Sequence, residues 1–115
     1  MESICKLKDI YKALYEFEAA FHEQFGITLN EGIVICMLSK GPMKAGDICV
    51  ECSLSTSRLS KVLGALEQKG LIVRTMGKND RRTIYVELTQ AGVEKKSVMS
   101  PEKVCIPESL SKMLK

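Results

Sequence analysis

Three short stretches carry the side chains with chemistry to offer. C-V-E-C at 49–52 places two thiols three residues apart, a spacing that puts both on one face of a helix. S-T-S-R-L-S-K at 55–61 gathers small hydroxyls, an arginine and a lysine, and K-N-D-R-R at 78–82 sets three cations around one acid. The thiol pair lacks company for zinc, which takes three or four protein ligands, because the one histidine, His22, lies far off in the chain. Five cysteines, Cys5, Cys36, Cys49, Cys52 and Cys105, are an odd number with no export signal before them, so reduced thiols in a cytoplasmic protein are expected. On this reading Cys49 and Cys52 serve as small buried hydrophobes, and neither a metal nor a cofactor is expected. With a single histidine and no Ser-His-Asp set, phosphate loop or carboxylate pair, the chain does not read as an enzyme.

The other two stretches share a sign. Residues 1–31 hold three basic against six acidic side chains and residues 32–52 balance, but residues 53–82 hold seven basic against two acidic. The net charge of +3 therefore hides a basic segment that contains both stretches. A local basic stripe is the footprint of a polyanionic partner, although a solvated face gives the same pattern. At 115 residues, 45% hydrophobic and 27% charged, the chain has the size and composition of one soluble globular domain. No apolar run approaches the roughly 18 residues of a membrane span.

The elements that must position these stretches follow from periodicity. Ile4, Leu7, Ile10, Tyr11, Leu14, Phe17, Phe21 and Phe25 recur at helical spacing, and Gly26 ends that helix. All three phenylalanines of the chain lie on this face, which can meet a second subunit or simply cover the core. Thr28 and Glu31 match a capping box before the apolar run 33–38, which Gly41-Pro42 stops. A short helix through C-V-E-C precedes a second one in which Leu59, Val62, Leu63 and Leu66 form one stripe. Ser53 or Ser55 can cap that second helix, and Gly70 supplies its left-handed terminus. Residues 71–76 and 83–88 alternate as strands, so 77–82 is the loop of a hairpin, and Thr89 opens a last helix. The sum is a mainly α chain with a small β-hairpin (α+β), in the order of a winged helix-turn-helix. The serine-rich start of the second helix reads either as capping chemistry alone or as a surface that lets the backbone approach a nucleic acid closely.

From Leu29 to about Glu94 the chain resembles the MarR family of bacterial transcription regulators. The resemblance rests on S-x-S-R-L-S-K-V-L-x-x-L-E-x-K-G-L-I at 55–72, D-R-R at 80–82 and E-L-T-Q-A-G at 87–92, in that order and spacing. It implies a homodimeric regulator of double-stranded DNA, and a repressor is the expected form. The recognition helix 55–69 would lie in the major groove, with Ser55, Thr56, Ser57, Arg58, Ser60 and Lys61 at the contact. The wing 77–82 would reach the minor groove, with Arg82 inserted, Lys78 and Arg81 on phosphates, and Asp80 pairing with nearby cations to hold the tip. Asp80 also fits ordinary turn chemistry.

The same resemblance divides the chain into a dimerisation helix over 1–27, a DNA-binding domain over 28–94 and a short helical tail over 95–115. The family's longer tail is missing, and Pro101 and Pro107 interrupt what remains. The dimer would then rest on Phe17, Phe21 and Phe25 with Leu110, Met113 and Leu114, and no effector can be named. Arsenic- and zinc-sensing winged-helix repressors carry a C-x-C pair where this chain has Lys44 and Gly46, a departure that speaks against a metal sensor. Two other readings compete: a protein-interaction module that has lost its operator, and a thiol or peroxide sensor acting through Cys5, near where some relatives place a reactive cysteine.

Overall fold

The computed structural model describes residues 2–77 and 82–99, without the side chain of Glu2, and these fall into two compact units that divide between Leu29 and Asn30. The first is built on α1, Glu2–Phe25. Its stop is the expected one: Gly26 takes φ +73°, a left-handed conformation costly for other residues, and its N–H bonds the carbonyl of His22 at 2.8 Å. Phe17, Phe21 and Phe25 meet along one side, the first pair edge-on and the second tilted, with ring centroids 6.0 and 4.8 Å apart.

The second unit contains the helix-turn-helix. After α2, Leu29–Leu38, and a two-residue strand β1, Met43–Lys44, come α3, Ala45–Cys52, and α4, Thr56–Gln68. The turn between α3 and α4 is made by Ser53, a non-glycine residue at φ 55°, and by Ser55, whose hydroxyl accepts from the N–H of Arg58 at 3.2 Å. Of the two serines expected to compete for the cap, Ser55 takes it. Leu59, Leu63 and Leu66 are the buried stripe of α4. Each side chain contributes about 1.5–3 kcal/mol on burial, so the stripe fixes which face is left outward.

At its C-terminus α4 ends in a complete Schellman motif: the N–H of Leu71 bonds the carbonyl of Leu66 and the N–H of Gly70 that of Glu67, both at 3.0 Å, with Gly70 at φ +74°. Strands β2, Ile72–Met76, and β3, Ile84–Leu88, then pair antiparallel from Ile72 against Leu88 to Met76 against Ile84. Beyond the strands, the N–H of Gly77 still reaches the carbonyl of Thr83 at 2.9 Å. The expected hairpin is in fact two thirds of a three-stranded sheet in the order β1-β3-β2, with Met43 opposite Val86 and Lys44 opposite Tyr85. A strand of two residues has no periodicity to read, which is why it escaped the sequence.

Helix α5, Gln90–Val98, begins at a clasp. The Thr89 hydroxyl accepts from the N–H of Gly92 at 3.1 Å and donates to the carbonyl of Gly70 at 2.6 Å, while the N–H of Thr89 bonds the carbonyl of Leu71 at 3.0 Å. Gly92 has to be glycine here, because a Cβ at that position would collide with the Leu71 carbonyl oxygen.

Candidate nucleic-acid interface

The buried leucine stripe turns the opposite side of α4 to solvent. Ser55, Thr56, Ser57, Arg58, Ser60 and Lys61, the six residues expected to contact DNA, are all exposed, and all lie in the first half of the helix or at its cap. Small hydroxyls on consecutive positions leave the helix surface low, so a flat or concave partner can come close to the backbone. Arg58 and Lys61, three apart and thus neighbours on the helix surface, make no ion pair among the described residues.

Two other cations of the basic segment are occupied internally. Lys69, the C-cap of α4, bonds both oxygens of the Glu31 carboxylate, at 3.0 and 2.9 Å, and Glu31 is only 3% exposed. Arg74 of β2 bonds Glu67 of α4 at 3.0 Å. Arg74 lies directly across from the buried Val86 and so shares that face of the sheet. These pairs hold α4 against α2 and β2, so the basic excess read from the sequence is part interface and part framework. Neither pair was legible in the chain, since the partners are 38 and 7 residues apart with no shared pattern.

The two strands of the hairpin run out beyond the core. Ile72, at its base, and Val86, at its middle, are buried, whereas Met76 and Ile84, paired at its far end, are 65% and 42% exposed. Arg82 is exposed at the turn that leads into β3. Lys78, Asp80 and Arg81 lie outside the described residues, as do Cys105, Leu110, Met113 and Leu114.

On α1 the expected dimer face has a different exposure. Phe21 and Phe25 are buried and Phe17 half-buried in the single chain, and the apolar side chains that α1 leaves exposed are Ile4, Leu7, Tyr11 and Tyr15. The cysteines also differ from expectation. Cys49 and Cys52 are half-buried rather than core: the Cys49 thiol donates to the carbonyl of Leu54 at 3.0 Å and the Cys52 thiol to Sδ of Met37 at 3.1 Å. Cys5 and Cys36 are exposed.

A capped helix with a polar outer face, held beside a small antiparallel sheet whose hairpin projects, defines a winged helix-turn-helix protein. The family model described as MarR family matches residues 25–83. The chain belongs to the MarR family. It is 32% identical over 91 residues to the HTH-type transcriptional repressor MdtR of Bacillus subtilis (strain 168), a match covering 77% of this chain and 59% of that protein. The chain spans less than two thirds of the length of this relative. Among solved structures, reduced AbfR bound to DNA superposes with a TM-score of 0.79 at 24% identity, covering 98% of this chain and 84% of that one. The MepR–DNA complex of S. aureus gives 0.66 at 21%, covering 95% and 85%. At these identities the likeness is one of fold.

Proposed function

We propose that the chain is a sequence-specific regulator of transcription that binds double-stranded DNA as a homodimer and acts as a repressor in the cytoplasm. The observation that carries this reading is the outer face of α4. Six small or cationic residues stand on a helix whose other side is fixed by three buried leucines, and the two cations among them form no ion pair among the described residues. The family membership supports it, as do the name of MdtR and the DNA present in the AbfR and MepR structures. No helix among the described residues is long and apolar enough to cross a membrane.

In this reading α4 enters the major groove, which admits a helix of its width. There Ser55, Thr56, Ser57 and Ser60 approach base edges, while Arg58 and Lys61 reach bases or phosphates. The hairpin brings Arg82 to the minor groove, with Lys78 and Arg81 on the flanking phosphates and Asp80 bracing the tip. The second copy would pack on α1, where Ile4, Leu7, Tyr11 and Tyr15 are the available apolar surface and Phe17 borders it.

Selection of bound sequences from a random DNA pool tests the whole proposal. A regulator of this kind enriches a site with two related half-sites about one helical turn apart, and its affinity falls steeply with salt as counterions are released. A pool that stays random, with a protein partner captured in a salt-insensitive manner, would assign the chain to protein interaction instead.

A further inference from the structure

We propose that Met37, Cys49 and Cys52 form a three-sulfur site for Cu(I) where α2, α3 and the turn into α4 meet. In the sequence the two thiols of C-V-E-C stand without a third ligand. The fold adds a thioether from another helix, bringing Met37 Sδ to 3.1 Å from Cys52 Sγ. Cys49 stands one turn before Cys52 on the same face of α3, with Cβ atoms about 5–6 Å apart as helical neighbours are. All three side chains are half-buried, so an ion can reach them from solvent and still be shielded.

Donor type selects the metal. Two thiolates and a thioether are soft ligands that favour Cu(I), and the described residues hold no cluster of three His, Cys, Asp or Glu side chains that would suit a harder ion. Binding is a proton exchange without electron transfer: both thiols lose their protons to solvent, three sulfur lone pairs bind the ion, and copper stays monovalent.

The same surroundings argue against a peroxide-reactive thiol here. Burial pushes the Cys52 thiol up from its ordinary value, and the neighbouring Glu51 and Cys49 push in the same direction. A thiol held protonated is a slow nucleophile, whereas a coordinating metal deprotonates it outright.

Occupancy would act on the recognition helix, a consequence that rests on the DNA-binding reading. The Cys49 thiol donates to the carbonyl of Leu54, inside the turn that sets α4. Coordination removes that proton and draws the sulfur toward Cys52, so the turn loses a bond that holds it.

The test uses the full chain with Cys5→Ser, Cys36→Ser and Cys105→Ser, leaving the two site cysteines, titrated anaerobically with Cu(I) buffered by bathocuproine disulfonate. One Cu(I) per chain is expected, with affinity about tenfold lower in Met37→Leu, a swap that preserves volume, and lost in Cys52→Ser. Failure of the background variant to hold Cu(I), or equal affinity in both site variants, would overturn the site. None of these readouts involves DNA, so they stand apart from the proposed function. Separately, Cu(I) should weaken binding of the selected DNA by the wild-type chain and leave Cys52→Ser unaffected. An unchanged DNA affinity in the copper-loaded wild type would overturn the coupling.

Discussion

Lys69, the C-cap of α4, holds both carboxylate oxygens of Glu31, a residue in the first turn of α2. The pair does two jobs at once. It places a cation at the negative end of the α4 dipole, and it compensates a carboxylate that is otherwise shut away from water. The Lys69 side chain itself is 40% exposed, so the lysine keeps part of its hydration while the acid does not.

That asymmetry predicts unequal mutants. Lys69→Met leaves Glu31 charged and buried, and should lower unfolding free energy by about 1–3 kcal/mol, less than the 3–5 typical of fully buried pairs. Glu31→Gln, which removes the charge and leaves a partly hydrated lysine, should cost less than Lys69→Met. Urea unfolding of both variants checks the order, and a larger loss for Glu31→Gln would refute the account.

Two glycines should respond in opposite directions to the same change. Gly92→Ala drives a methyl group into the Leu71 carbonyl oxygen and should destabilise the fold by about 2 kcal/mol or more, as overpacking does. Gly64, inside α4, has nothing within 4 Å of a built Cβ, so Gly64→Ala should gain about 0.5–1 kcal/mol from helix propensity. Thermal unfolding of the two proteins decides it.

On DNA, the exposed and the internally bonded cations should separate. If Lys61 contacts a phosphate, Lys61→Ala should reduce the slope of log affinity against log salt by about one unit while leaving unfolding unchanged. Arg74→Ala removes the tie to Glu67, and should change stability slightly and the salt slope little. Arg82→Ala should weaken operator binding strongly without unfolding the domain. An Arg82 variant that binds like the wild type at moderate salt would remove the wing from the interface.

Thiol reactivity should rank by ionisation and access. Near pH 8 an alkylating reagent should label Cys5 and Cys36, which are exposed, before Cys52, whose thiol is raised above its ordinary value of 9.0. The linkage has the matching sign. The stabilisation from a raised thiol is complete below the unfolded value and is lost as pH climbs through the folded one, so Cys52→Ala should flatten the alkaline limb of the stability profile. Peptide mass spectrometry after timed labelling checks the ranking.

What the sequence disclosed was the local grammar. The stops at Gly26 and Gly70, the cap at Thr89 and the leucine stripe of α4 are each written within a few neighbouring residues, and the structure places all of them as read. Contacts between distant segments were silent. Glu31 was legible as half of a capping box, but nothing near residue 31 announces that both its oxygens will receive Lys69. Ile84 fits the inward alternation of its strand but is exposed, since the hairpin continues past the end of the core it was expected to cover. Half-burial was harder still: the thiols of α3 read as hydrophobes, and only folding sets Met37 beside one of them.

The clasp of Thr89 on Gly70 and Leu71 brings the two ends of the hairpin together at one point. Residues 71–89 are therefore a closed circuit, tied at the clasp and, along its length, by the buried Ile72 and Val86, the pairing of β3 with β1 and the bond of Arg74 to Glu67. Lengthening such a circuit is cheap, at about 0.6 kcal/mol of closure entropy per doubling. The wing can accordingly be regarded as an interchangeable part. Its reach can be redesigned by splicing at residues 78–81, while the register of α4 and α5 stays where the clasp has put it.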